Sequence, residues 1–456
     1  MEKLSLQVPD QLNIFDQGFE NELFSNIAET SYLEKIYPTG FVSSKDNVDP
    51  LIFLIRGDNH WIDFSKSYML LKCKVIGVEH KPASSGSGTP VLAVDVDASA
   101  KADGDFGLCN SFFHSIFSSI NVSVGNTSIS INNENYPYIA HIQNICNLSS
   151  DYQETLGGTF GYNRVLERVK ENLLSTEDTM TGVIGLKSPL LLSKKNLLPF
   201  MDVLITCNRI PNNEFYFSWS PPNTSPKVNA RTYKLLLKEV VYNARKVKVD
   251  DRHNLMIDSH LNRDNSIHYA LNDCRVITKM YTNKLSEIVE DNLFHGILPK
   301  RIIIGMVKTS AFQGSITTNP LRFDPFDIRE IGLFVNGQSF PYPMISMNFN
   351  GAKTDTAEIY HLFMDSLHAI DSPDPPLISK EDYDKNGFTL FGFNLSADQY
   401  QTIDQRILLN LPANIRLHMK FDPASTSTEP MTLIIYYEMF SGLSINKHRQ
   451  VTFHSK

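Results

Sequence analysis

The chain has 456 residues, a formal net charge of −8, and 42% hydrophobic against 20% charged residues. That balance excludes a disordered polymer and a protein whose whole surface grips nucleic acid, and the length exceeds what one hydrophobic core comfortably serves. Two or three domains are therefore expected, and plentiful Phe (28) and Tyr (18) among runs of Val, Ile and Thr favour strands.

Taken in chain order, the start MEKLSLQVPD lacks the basic and apolar regions of a signal peptide, so an intracellular, soluble protein is expected. No run of eighteen apolar residues exists, so no membrane span is expected. Residues 1–49 read as an N-terminal arm in which ELFSNIAETSYLEKI (22–36) has helical spacing, with Leu23, Ile27 and Tyr32 or Leu33 on one side. Strands are predicted for PLIFLIRG (50–57) and WIDFSKSYMLLKCKVIGV (61–78), and HKPASSGSGTP (80–90) reads as an exposed loop. That loop lacks the Gly-Lys-Ser/Thr and the following helix that a phosphate-binding loop needs.

HSIFSSINVSVGNTSISI (114–131) is two extended runs about a two-residue turn, Gly125-Asn126, with Gly at the first central position. After it, YPYIAHIQNICNL (136–148) places Ile139, Ile142 and Ile145 at helical spacing. YKLLLKEVVYNARKVKV (233–249) is a long strand, and DDRHNLMIDSHLNRDN (250–265) is polar, partly helical and suited to a linker. RIIIGMV (301–307) is apolar on both faces and suits a central strand. DIREIGLFVNGQSFP (327–341) then repeats the hairpin about Asn336-Gly337, a pair that tolerates positive φ at low cost. TDTAEIYHLFMDSL (354–367) repeats the helix with Ile359, Leu362, Phe363 and Ser366, and Asp355 and Glu358 are spaced like a capping box. NIRLHMKFD alternates, with Ile415, Leu417, Met419 and Phe421 facing one way, and MTLIIYYEMFSGLSI (431–445) closes as another long strand.

The turns and the long strands recur about 200 residues apart, so one all-β unit is written twice. The fold expected is two tandem jelly-roll β-sandwiches with short helices in the inter-strand excursions. The organisation reads as an arm (1–49), a first jelly roll (50–250), a linker (251–270), a second jelly roll (271–445) and a basic C-terminal tail (446–456).

Chemistry-bearing motifs are sparse. H-E-x-x-H, G-x-S-x-G and Walker loops do not occur. Cys73, Cys109, Cys146, Cys207 and Cys274 are odd in number and far apart, which supports neither zinc nor disulfides. His253, His260 and His268 are spaced along the polar linker, where turn and helix surface is the simpler reading than a metal site. Asp324, Asp327 and Glu330 in FDPFDIRE form the best carboxylate group, and Asp as a turn former outweighs acid–base work there. Basic residues cluster weakly at Lys194-Lys195, Arg245-Lys246-Lys248 and Lys300-Arg301, and in the tail at Lys447, His448 and Arg449, a candidate interior or partner contact.

LPKRIIIGMVKTSAFQGS (298–315) followed by NPLRFDPFDIREIGLFVNGQSFP (319–341) resembles the major capsid proteins of Polinton/Maverick elements and the related adintoviruses. WIDFSKSYMLLKCKV and NSFFHSIFSSINVSVGN look like that family's first jelly roll, NIRLHMKFD and TLIIYYEMF like its closing strands, and the likeness runs from about residue 50 to 440. The resemblance implies a double jelly-roll capsid protein of the adenovirus–tectivirus–virophage lineage, whose homotrimers form pseudo-hexagonal capsomers that tile an icosahedral shell around double-stranded DNA. It further implies capsomer–capsomer contacts, a minor or penton capsid protein as partner, weak contact with packaged DNA, and residence in the virion after assembly in nucleus or cytoplasm. It implies no enzyme activity, no cofactor and no catalytic, cofactor-binding or metal-ligating residue. The expected interface formers are the excursions 79–107 and 149–200, the arm and the tail. Two rival readings remain: a double-sandwich glycan-processing enzyme using Asp324 and Asp327, and a host-domesticated, capsid-derived binding protein.

Overall fold

The computed structural model describes residues 28–40, 49–80, 93–97, 105–129, 135–162, 179–211, 215, 217–220, 231–263, 266–281, 286–293, 295–315, 318–349, 354–370, 375–376, 378–395, 412–422 and 430–455. The first half runs β1 (Ala28–Ile36), β2 (Leu51–Ile55), β3 (Trp61–His80), β4 (Ala93–Asp97), β5 (Asp105–Leu108), α1 (Phe112–Ser115), β6 (Phe117–Val124), β7 (Thr127–Ser128), α2 (Tyr136–Asn147), α3 (Ser150–Leu156), β8 (Met180–Ile184), β9 (Val203–Arg209), β10 (Phe217–Ser220) and β11 (Arg231–Val249). Helix α4 (Asp251–Asn262) leads into β12 (Ile267–Tyr281), β13 (Glu287–Glu290), β14 (His295–Ile297), β15 (Arg301–Lys308), α5 (Thr309–Gln313), β16 (Ile328–Val335), β17 (Gln338–Ser346), α6 (Ala357–Ser366), α7 (Lys380–Lys385), β18 (Leu390–Asn394), β19 (Pro412–Phe421), β20 (Met431–Ile445) and β21 (Val451–Ser455).

The first half pairs β1-β11-β3-β8 in one sheet and β2-β9-β6-β7 in the other; the second pairs β12-β20-β15-β18 and β13-β19-β16-β17. With β4, β5 and β10 as excursions, β13 and β14 as one interrupted strand and β21 as an addition, each half has eight principal strands wound identically. The first, eighth, third and sixth share one sheet; the second, seventh, fourth and fifth share the other. That antiparallel winding is a jelly roll, so the fold is all-β, a double jelly roll.

Side-chain pattern explains the layers. In β19, Ile415, Leu417, Met419 and Phe421 are buried while Asn414 and Arg416 are exposed, a strand with one face on the core. β15 is buried from Arg301 to Val307 because β20 and β18 flank it and both its faces are covered. The turns are set by backbone conformation. Gly125 has φ 56° between the paired Val124 and Thr127; Asn336 and Gly337 have φ 51° and 86° between the paired Val335 and Gln338. A Cβ at either glycine would meet nothing within 4 Å, so positive φ and not space selects the residue.

Two expectations are corrected. The helix read over 22–36 is, over its described part, the strand β1, paired with β11 from Ala28↔Val249 to Ile36↔Tyr242. Glu29–Lys248 (2.6 Å) and Glu34–Lys246 (2.8 Å) tie the pair across the ladder, and ladder hydrogen bonds override the weak helical spacing. The residues read as an arm thus supply the opening strand of the first sheet. The capping box read at Asp355 and Glu358 is absent: the N-cap of α6 is Thr356, whose hydroxyl donates to Asp384 (2.7 Å). A capping box forms instead at α7, between Ser379 and Asp382. The loop at 81–90 lies outside the described residues.

Candidate functional site: the seam between the sandwiches

The segment 136–147 contains no Asp, Glu, Lys or Arg. That composition fits a helix covered on all sides, and every residue of α2 from Tyr136 to Cys146 is buried. α2 packs on β6 of its own sandwich and on β12 and β20 of the other. Tyr138 stacks on Phe312 (centroids 5.8 Å, interplanar angle 23°) and meets Phe215 edge-on (6.2 Å); His141 stacks on Phe323 (6.1 Å). Gln143 Nε2 donates to Tyr436 OH (3.4 Å). Aromatic side chains from one half thus fill the other, and a single buried cluster runs through both.

Burial dominates the titration of the two histidines beside this wedge. It pushes His141 down to about 3 and, with the charge of Lys187, holds His114 well below its ordinary value, so both stay neutral. Ser111 Oγ lies 3.1 Å from His141 Nδ1, and Tyr136 OH lies 2.9 Å from His114 Nδ1.

At the C-terminal end of α2 a polar cavity of about 260 Å³ separates the helix from the sheet of the second sandwich. Register builds its floor: Arg301 on β15 pairs with Asn394 on β18 and with Glu438 on β20, so three polar side chains form a row across three strands. Arg301 Nη2 donates to Glu438 Oε1 and to Asn147 Oδ1 (3.0 Å), and Tyr436 OH donates to the same Glu438 oxygen (2.8 Å). Burial alone would raise the Glu438 pKa, but the Arg301 charge and the two donors outweigh it and hold the carboxyl below its ordinary value. Burial likewise opposes the charge on Arg301, and the Glu438 carboxylate overrides it. His368, at the rim, is lowered first by burial and then by Arg301 and Lys300.

The structure disperses the other candidates. Asp324 binds Arg322 (2.9 Å) and Glu330 binds Lys420 (2.8 Å), while Asp327 sits in a turn at φ 58° and its carbonyl accepts from Asp422 N–H (2.9 Å). His253 and His260 lie on α4 and His268 on β12. Among the described residues no group of three His, Cys, Asp or Glu is placed to hold a metal ion. The five cysteines are buried and unpaired with one another. Lys447, His448 and Arg449 do not belong to a free tail: they form the turn between β20 and β21, closed by Asn446 Oδ1 accepting from the His448 and Gln450 N–H groups. Arg449 pairs with Asp258 of α4 (3.1 Å), and Thr127 Oγ1 of β7 donates to the Val451 carbonyl (3.0 Å), so the end of the chain clasps the first sandwich. Sequence reading missed the seam and its cavity; the charge-free helix 136–147 was the available signal.

No family model matches the chain. An uncharacterized protein of Caenorhabditis elegans, F54H12.2, is 19% identical over 315 residues, covering 68% of this chain and 74% of that protein. Among solved structures, a chain of the Sputnik virophage cryo-EM structure superposes with TM-score 0.64 at 11% identity, covering 99% of this chain and 93% of its own. The mavirus major capsid protein gives 0.54 at 8% identity (94% and 91% covered), and the Faustovirus major capsid protein 0.53 at 9% identity (92% and 92%). At such identities the likeness establishes the double jelly-roll fold. Among the described residues no helix is long and apolar enough to cross a membrane.

Proposed function

We propose that this chain is a major capsid protein of the Polinton/Maverick and adintovirus kind. Three copies form a pseudo-hexagonal capsomer, and capsomers tile an icosahedral shell around double-stranded DNA. One observation carries the reading: the internal seam has unmatched counterparts at the two flanks of the chain. α2 covers the β12-β20 side of the second sandwich, but α6, which follows the fifth strand of its own sandwich as α2 does, buries only Ile359, Phe363 and Ser366. The equivalent of β12 in the first sandwich is β1, where Tyr32 (44%), Leu33 (38%) and the following Tyr37 (60%) stay exposed. Head-to-tail packing of α6 on the β1-β11 side of a neighbour repeats the seam, and threefold closure then gives six similar walls. Such obligate contacts bury on the order of 2,000–5,000 Å².

The structural likeness to two proteins named as major capsid proteins supports the class. In this reading the chain is a virion component and not a catalyst, Asp324 and Asp327 being turn and ion-pair residues. Lys447, His448 and Arg449 in the β20–β21 turn are the proposed contact with packaged DNA or a minor capsid protein. The nematode relative favours one second reading, a capsid-derived protein kept by a host as a binding module. The test is the solution mass of the purified chain with negative-stain images of the same peak. A species near three times 51.6 kDa with pseudo-hexagonal outline supports the capsomer. A monomer at every salt and pH contradicts it and favours the binding module.

A further inference from the structure

The two sandwiches present equivalent sheets with unlike outer faces. On β13-β19-β16-β17 the outward residues are charged and matched within the sheet. Register sets Lys420 between Glu287 and Glu330, with Lys420–Glu330 at 2.8 Å, while Glu287 binds His418 and Arg416 pairs with Asp291 (2.7 Å). On β2-β9-β6-β7 the described residues at the same stations carry no charge. One cross-strand row reads Leu54-Leu204-Ser123-Ser128 and the next Ile52-Thr206-Asn121. Beyond them Asn208 Nδ2 donates to Ser119 Oγ (2.7 Å). Leu54 and Leu204, side by side in the first row, are 39% and 36% exposed.

We propose that this charge-free face is a contact surface for a second copy of this chain, packed sheet against sheet, and that it joins one capsomer to the next. Its place in a shell rests on the capsomer reading. The seam and the half-seams use the other sheet of each sandwich, so this face points away from the ring. A face without Lys or Arg offers nothing to nucleic-acid phosphates, and a charged partner would lose hydration there without gaining a counter-ion. A second uncharged face of the same kind costs neither side a charge, so the face is its own complement. At the usual strand spacing and rise it covers about 300 Å² per copy, so a pair buries about 600 Å², half of what a stable specific contact needs. One such contact is weak, and it gains strength where a capsomer makes several at once. The ion-paired face of the second sandwich has its charges answered within its own sheet and suits solvent.

The experiment is sedimentation of the purified full chain at monomer concentrations from about 1 to about 500 μM. Leu204→Lys and Asn121→Lys place a cation on the proposed face, and Val289→Lys places the same cation on the exposed Val289 of the ion-paired face. Variants are accepted once their melting curves match the parent; Asn121 is exposed, so Asn121→Lys decides if Leu204→Lys does not fold. The parent's mass is expected to grow with concentration. Leu204→Lys and Asn121→Lys bring like charges together in one contact and should raise the concentration for half-association at least about tenfold. Val289→Lys should follow the parent. A tenfold shift in either face variant with Val289→Lys at the parent's value supports the face. Parental growth in every folded face variant, or an equal shift in Val289→Lys, overturns it. A parent mass that stays constant up to about 500 μM also overturns it and leaves the face to solvent or to a partner of another kind. The species at the lowest concentration tests the capsomer and the growth above it tests the face, so the two fail separately.

Discussion

Helices α2 and α6 occupy the same station in the two sandwiches, between the fifth and sixth principal strands, yet they live in different surroundings. α2 is buried throughout and carries no formal charge, whereas α6 exposes Glu358 and His361 and keeps Tyr360 half-buried. The sheets they would cover differ in the same sense. β12 buries Tyr269, Leu271, Asp273, Cys274 and Val276, while β1 is exposed along nearly its whole length. The repeated unit therefore has one satisfied seam inside the chain and one half-seam at each flank. What is core chemistry in the first case would become interface chemistry in the second if the proposed capsomer forms.

The largest contrast is at the aromatic wedge. Tyr138→Ala removes a ring packed against Phe215, Phe312 and Phe323 and is expected to cost about 3–5 kcal/mol of unfolding free energy. Tyr360→Ala on α6, losing a partly exposed ring, its edge contact with Tyr383 (5.3 Å) and its bond to the Ile378 carbonyl (2.8 Å), should cost less, about 1–3 kcal/mol. Denaturant midpoints of the two variants separate the cases; equal losses would break the distinction between core and half-seam.

Acid should act on the same seam. A histidine held neutral at about 3 in the folded chain takes up its proton near 6.5 when unfolded, so the unfolded state binds more protons between those values. Stability is then full above pH 6.5 and falls toward pH 3, by up to about 1.4 kcal/mol per pH unit for His141 alone. Melting temperatures across that range should decline less steeply in His141→Asn. An unchanged slope would show that the histidine protonates without opening the seam.

A smaller effect is expected at the paired turns. Gly337→Val forces a β-branched side chain into φ 86° and should cost about 1–3 kcal/mol, with Gly125→Val at φ 56° in the same range. Equilibrium unfolding checks both, and parental stability would mean that the turns relax to another type. Smallest in stability is Leu33→Glu on β1, within about 0.5 kcal/mol for the isolated chain. It should nevertheless reduce the oligomer to monomer in a sedimentation experiment.

Much of this architecture was legible in the residues. The strands at 233–249 and 431–445, the alternation in β19, the doubly apolar β15 and the helix at 136–147 follow from period and composition, because each buries a defined face. β1 was not legible: its side chains are exposed on both faces, so no alternation marks it, and only its partner β11 makes it a strand. The seam cavity was hidden for another reason. Asn272, Arg301, Asn394 and Glu438 are scattered over more than 160 positions and meet only through the register of β12, β15, β18 and β20. The tail misled because basic, polar composition says nothing of a ladder with β20.

The most direct test of the central claim is a single-particle reconstruction of the purified oligomer. The account predicts a threefold ring in which α6 of each chain lies against β1 and β11 of the next, as α2 lies against β12 and β20 within a chain. A ring in which α6 and β1 both face solvent would contradict it.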